Sequence, residues 1–205
     1  MIALTIALGA GVATSMLSVM FNVGDKVNQE LKSYGANIVV RAQGAAVLSD
    51  LYSTGEASES HAYLREDELG NIKTIFWTYN ILDFAPLLNV SATDASGAPV
   101  ATTGTWFSHH LELATGESID TGLDKLRGWW GVTGAWPTDE DATGAIVGAT
   151  YAAERDLNVG DSFTLTRAGI SREFTVRGVV TTGDDADRGV YIQLPAAQEL
   201  IEREG

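Results

Sequence analysis

The chain has 205 residues, with 27 acidic side chains against 13 basic ones and no cysteine. A net charge of −14 argues against nucleic-acid binding, which needs a positive footprint, and the lack of cysteine excludes a disulfide frame, Cys-ligated zinc and a thiol nucleophile. The charge is also uneven: three bases and two acids up to Ala42, ten bases and 25 acids after it, and no charge before Asp25, which rules out a simple cytosolic enzyme.

The first 24 residues, MIALTIALGAGVATSMLSVMFNVG, form an uncharged and mostly apolar block. Its length suits a helix crossing a hydrocarbon core of about 30 Å. A secretory signal is the alternative, but it would carry basic residues ahead of a shorter apolar run. A transmembrane helix over 1–23 is therefore expected. Ala3, Ala7, Gly11 and Ser15 recur every four positions, which puts small residues on one stripe where a neighbouring membrane helix packs closely.

The helix is expected to continue as a stalk over 24–35. Val23, Val27 and Leu31 keep the spacing of four, Tyr34 extends the apolar face, and Gly35 is a good terminator. Ala36 to Arg41 is β-rich and predicts a strand entering a sheet centre. Gln43 to Ser60 reads as loop. Leu64, Leu69, Ile72 and Phe76 have helical spacing behind an acidic first turn at Glu66, Asp67 and Glu68. Ile81 to Val90 predicts a strand region broken by Pro86, and Val100 to Trp106 another strand after a Ser96–Gly97 turn.

From about Thr105 to Asp141 the texture changes. Four of the five tryptophans lie here, with two adjacent histidines and frequent glycine, but no clean periodicity. A separate inserted subdomain over 105–144 is expected. Regular patterning returns with a short strand at Ile146–Val147 and a helix from a Thr150 cap to about Leu157. Ser162 to Thr166 and the strand carrying Phe174, Val176 and Val179 form a hairpin about Ala168–Gly169. A polar loop over Thr182 to Gly189, a strand at Val190 to Ile192 and a helix opened by Pro195 complete the chain.

These segments carry a family resemblance. GDKVNQELKSYGANIVV at 24–40, following directly on a membrane helix, resembles the start of the extracytoplasmic domain of MacB/FtsX-type ABC transporter permeases. Ala145-Ile146-Val147-Gly148, Val159-Gly160-Asp161, Phe174 to Val179 and Val190 to Leu194 are similar to the later motifs of the same family, in the same order. The resemblance implies an α+β fold with three parts: a long N-terminal membrane and stalk helix, a mixed α/β porter-like subdomain from 36–104 and 145–205, and a β-rich inserted subdomain. It implies a bacterial inner-membrane location with residues after about 24 extracytoplasmic. It also implies an ABC ATPase subunit that uses the ATP, a second permease copy or paralogue as dimer partner, and a periplasmic or extracellular substrate-binding protein. The Trp-rich centre, with Ile75-Phe76-Trp77 and Phe84-Ala85-Pro86, resembles the permeases of bacterial iron-uptake systems.

No catalytic constellation is found. There is no phosphate loop, so ATP is not hydrolysed by this chain, and no Gly-x-Ser-x-Gly elbow accompanies the three histidines. His109, His110 and Glu112 are the candidate metal ligands, with His61 elsewhere, but neighbours on a strand point to opposite faces. Asp184, Asp185 and Asp187 lack the glutamate of a calcium loop and predict an Asx-type turn. Arg65-Glu66-Asp67-Glu68 reads as a solvated helix start. Trp129, Trp130 and Trp136 are too many for a small subdomain to bury, which makes them candidate partner contacts. The function expected is that of a permease domain transmitting ATP-driven movement, with iron transport as a narrower reading. A membrane-anchored cation- or protein-binding sensor without a transport role is the rival, and a metal-binding receptor a third.

Overall fold

A computed structural model describes residues 7, 9–19, 23, 38–42 and 63–203. The chain divides into two units, Met1–Val39 and Val40–Gly205. In the first, residue 7, residues 9–19 (α1) and residue 23 are α-helical and exposed. Thr14 Oγ1 donates back to the Ala10 carbonyl over 2.8 Å, as hydroxyls do within helices. Ala7, Gly11 and Ser15 of the small-residue stripe lie on this helical backbone. Ala3, and Val27, Leu31 and Tyr34 of the stalk, lie outside the described residues. Among the described residues no helix is long and apolar enough to cross a membrane.

The second unit is α+β. Its strands are β1 (Leu88–Thr93), β2 (Pro99–Thr105), β3 (His109–Glu112), β4 (Ser118–Thr121), β5 (Gly131–Gly134), β6 (Gly144–Gly148), β7 (Ser162–Arg167), β8 (Ile170–Thr181) and β9 (Val190–Gln193). Its helices are α2 (Leu123–Leu126), α3 (Ala149–Arg155) and α4 (Leu194–Leu200). Seven strands form a mixed sheet in the order β5-β8-β6-β9-β2-β1-β7, and β7 also pairs with β8. The sheet therefore closes on itself, leaving few edges open to another strand. β3 and β4 make a separate two-stranded sheet, whereas β5, from the same Trp-rich stretch, pairs antiparallel with β8.

The closed sheet buries two cores. Along β6, Ala145 and Val147 face one side and Ile146 the other, following the two-residue period of a strand. The larger core takes Val90, Val100, Leu165, Val190 and Ile192 together with Tyr151 of α3 and Leu200 of α4. The smaller holds Phe107, Leu123, Ile146 and Val180, and Trp130, Trp136 and Tyr191 pack against it. β8 serves both because its register against β6 shifts between Ala145 and Ile146, a bulge at Arg177–Gly178. One extra residue reverses which face the later side chains take, so Phe174 and Val176 face the larger core and Val180 the smaller. Gly178 fits there because a Cβ would come within 2.8 Å of both Ile146 Cδ1 and Val132 Cγ1.

Several expected elements stand where the pattern placed them: β2, β6, the β7–β8 hairpin, β9 and a last helix with Pro195 in its first turn. Four expectations are corrected. Residues 38–42 form no strand, and Ile38, Val39 and Val40 are exposed. β-branched residues favour an extended backbone, but a strand also needs a neighbour's hydrogen bonds. The helix expected over Leu64–Phe76 is a 3-10 helix, Glu66–Lys73, with no buried residue. Gly70 and Asn71 are poor α-helix formers at its middle, and Phe76, placed by spacing on a buried face, is 87% exposed. Ile81 to Leu87 has no regular structure, and the strand begins at Leu88. Gly148, not Thr150, is the N-cap of α3, with no side-chain cap. The position is glycine because the Asp187 carbonyl carbon lies 2.2 Å from where a Cβ would stand.

Candidate interaction surface

Three side-chain groups bear on function, and each follows from an element just described. The first surrounds Trp106, at the end of β2. Trp106 is 3% exposed, and its Nε1 donates to Glu66 Oε1 over 3.3 Å. The other oxygen of Glu66 accepts from Gln198 Nε2 of α4 at 2.8 Å. One carboxylate thus ties the 3-10 helix to the residue that follows β2 and to the last helix. The imidazole of His109 stacks on Trp106 with ring centroids 4.1 Å apart. Glu66, Asp67, Trp106, His109, Leu111 and Glu112 line a shallow groove of about 580 Å³.

The candidate metal ligands do not converge. β3 sends His109 and His110 to opposite sides, and each finds its own carboxylate. His109 Nδ1 lies 2.7 Å from Asp139 Oδ2, and His110 Nδ1 lies 2.6 Å from Asp120 Oδ1. The hydrogen bond from His110 holds the Asp120 carboxyl below the usual carboxylate range. Glu112 is exposed on the groove rim. Among the described residues no three His, Asp or Glu side chains gather to hold a metal ion. His61 lies outside the described residues.

The second group is the tryptophan cluster. Trp130 and Trp136 stack with centroids 6.3 Å apart, Tyr191 meets Trp130 edge-on at 5.1 Å, and Phe107 adjoins Trp136 at 6.1 Å. The Arg127 guanidinium lies over Trp129 and Trp130, 5.2 and 5.7 Å from the ring centroids, a cation–π arrangement. Trp129, Trp130 and Trp136 are all half-buried. Burial, with the charge of Asp184 nearby, pushes the Tyr191 hydroxyl up to about 12. Asp184 and Asp187 turn inward upon their own loop. Asp184 accepts from the Ala186 backbone N–H, forming the expected Asx turn, and Asp187 accepts from those of Thr182 and Gly183. Burial works to raise the Asp187 carboxyl, but those donors outweigh it and hold it low.

The third group was not legible as a site. After the 3-10 helix, the chain presents Ile75, Phe76, Trp77, Tyr79 and Leu82 to solvent, with Phe76, Tyr79 and Leu82 at least 80% exposed. Of these, helical spacing places Phe76 alone on a buried face, and Leu82 falls in the strand region expected from Ile81. The 3-10 helix runs through Gly70 and Asn71 to Lys73 and buries no residue, so it does not carry Phe76 inward.

A family model described as MacB-like periplasmic core domain matches residues 1–205. No curated protein matches the chain.

Proposed function

The chain belongs to the family of MacB-like periplasmic core domains, and from that premise we propose that it carries ATP-driven movement of membrane helices to a substrate or partner outside the membrane. The family places it as an extracytoplasmic domain of an ABC transporter permease, a transporter component that works with an ABC ATPase and generally as a dimer. The observation that carries the reading is the match over all 205 residues, which takes in the uncharged first block as well as the α+β body.

In this reading residues 1–23 span the membrane and 24–35 form the stalk, with Val23, Val27, Leu31 and Tyr34 as its packing face. Ala3, Ala7, Gly11 and Ser15 pack against a neighbouring span. The stalk pair is the two-state element, biased by nucleotide in the ATPase partner. The body divides into a porter-like part from 36–104 and 145–205 and an inserted part over 105–144, which offers Trp129, Trp130 and Trp136 to a substrate-binding protein or another partner. The dimer partner is a second copy or a paralogue, and iron-linked substrates are the narrower assignment.

The test is Val27→Pro in the complete transporter. Proline removes a helix hydrogen bond and clashes with the preceding turn, at a cost of about 3 kcal/mol. Transport should fall while basal ATP hydrolysis persists. Unchanged coupling of the two would overturn the proposal.

A further inference from the structure

The seven-stranded sheet closes where β7 returns to β8, but beside the later half of β8 it ends in β5, which pairs with β8 alone. The Ala135 N–H donates to Arg177 O over 3.0 Å, continuing the ladder in which Gly131 stands opposite Thr181 and Thr133 opposite Val179. Backbone bonds alternate along an antiparallel strand, so the N–H and C=O groups of Val132 and Gly134 point away from β8. Among the described residues nothing bonds to those outward groups. Gly131, Thr133, Gly134 and Ala135 are exposed, and the strand carries neither charge nor proline.

The other open edges differ. On β3 the outward N–H of His110 donates to Asp139 Oδ2, on β4 the Asp120 carbonyl accepts from Lys125 Nζ, and on β1 the Ser91 carbonyl accepts from Arg167. Charged side chains of this kind blunt an edge against other strands. β5 has no such cover.

Beside β5 in the chain stands a cation without a counterion. The N–H of Trp130, the residue before β5, donates to the Arg127 carbonyl over 2.8 Å, and the Arg127 guanidinium lies over the Trp129 and Trp130 rings. After Ala42 the acids outnumber the bases 25 to ten. Arg65, Arg155, Arg172, Arg177 and Arg188 each reach a carboxylate, whereas among the described residues no carboxylate reaches Arg127.

We propose that the β5 edge takes an extended segment of a partner protein as an additional strand, with an Asp or Glu of that segment paired to Arg127. Main-chain bonds to Val132 and Gly134 give affinity, and the guanidinium, planar and half-buried on two indoles, selects a carboxylate. A second copy supplies no carboxylate from its own Gly131–Gly134, so it leaves Arg127 unmatched. The inference deepens the partner contact proposed above for Trp129, Trp130 and Trp136 and rests on it. Neither nucleotide nor transport enters its test, so its failure is separate from that of Val27→Pro.

The probe is a phage-displayed library of random nine-residue peptides, selected on the full chain, with retained peptides then measured free by fluorescence polarisation. Retained sequences should be rich in β-branched residues and carry Asp or Glu. N-methylation of alternate peptide amides should weaken binding about tenfold in one set of positions and spare it in the other, because only one set faces β5. Val132→Pro removes an outward N–H without removing a bond to β8, and should weaken binding similarly. Exchanging the peptide's Glu for Gln should cost about tenfold against the wild type and nothing against Arg127→Gln. Retained peptides that ignore both N-methylation and Val132→Pro would overturn the edge while leaving a Trp contact standing. If no peptide is retained, the edge and the Trp contact both fail. Disulfide crosslinking of Thr133→Cys between two copies, with loss of peptide binding, would assign β5 to a second copy and overturn the partner strand.

Discussion

Arg155 donates from Nε to Oδ2 of Asp94 across 2.7 Å, joining residues 61 positions apart. Asp94 closes the β1–β2 turn through Oδ1, which accepts from Ser96 N, Ser96 Oγ and Ala98 N, while Arg155 ends α3. The pair fixes that turn to the helix on the larger core. Burial works to raise the Asp94 carboxyl, but the bonds from Ser96, Arg155 and Ala98 outweigh it and bring it to about 2.

The folded Asp94 therefore binds its proton less readily than the unfolded chain, whose aspartates titrate near about 4. Its contribution is present above that pH and is lost as pH falls through about 2. We expect about 1–2 kcal/mol, less than the full shift because Arg155 is partly in solvent and water screens the pair. Asp94→Asn should lose that stability at neutral pH and flatten the slope of unfolding free energy between about pH 4 and pH 2. Equal slopes for the two proteins in denaturant titrations would assign acid sensitivity elsewhere.

Gly104 in β2 lies beneath α4. A Cβ there would stand 2.2 Å from Cβ of Ala197 and 3.5 Å from Cα of Leu194, so Gly104→Ala must push the helix off the sheet. A loss of about 1–3 kcal/mol is expected from such overpacking. Ala197→Gly in the same chain removes the opposing methyl and should recover part of it, a coupling that a double-mutant cycle of urea midpoints measures directly.

The β7–β8 hairpin turns through Ala168 at φ 47° and Gly169 at φ 90°, positive at both central positions. Glycine accepts this freely, whereas alanine does so at a cost of about 1 kcal/mol. Ala168→Asn should raise the thermal midpoint, with a gain of about 0.5–1 kcal/mol at an exposed site. A fall in the midpoint would show that the turn tolerates alanine without strain.

Glu66→Ala deprives the buried Trp106 indole of its acceptor and Gln198 of its partner at once. The cost of an unsatisfied buried donor is about 1–3 kcal/mol. Glu66→Gln keeps an oxygen for Trp106 and should cost much less. Near-ultraviolet circular dichroism should show the Trp106 environment changed in the alanine variant and retained in the glutamine one.

The elements that could be read from the sequence are those whose pattern is local. Ile146–Val147, the Ala168–Gly169 hairpin and Pro195 each carry their own signal, and the spacing of Phe174, Val176 and Val179 already holds the break in alternation that became the bulge. What could not be read depends on distant neighbours. Val39 and Val40 have the composition of a strand but no pairing to make one. Phe76 has the spacing of a core residue, yet the helix before it is 3-10, ends at Lys73 and buries no residue. The stack of His109 on Trp106 required a three-residue link between β2 and β3 whose path no periodicity describes. That His109 and His110 face opposite sides follows from strand alternation, whereas their partners Asp139 and Asp120 could not be read from the sequence.

The position of β9 sets a timetable for the chain. Val190–Gln193 lies between β6 and β2 in the sheet, parallel to β2 with Thr102 opposite Val190. While this domain is being synthesised, β1, β2 and the β7–β8 hairpin can form early, but the strand that joins β2 to β6 is the last of the described strands to emerge. Until about residue 193 emerges, β2 and β6 each lack a neighbour, and both cores stay open along that seam. Assembly is therefore late and cooperative, governed by contacts far apart in sequence, and such topologies fold slowly. A nascent chain stalled before Val190 would expose two unpaired strand edges, on β2 and β6, a structural sign that this domain is unfinished.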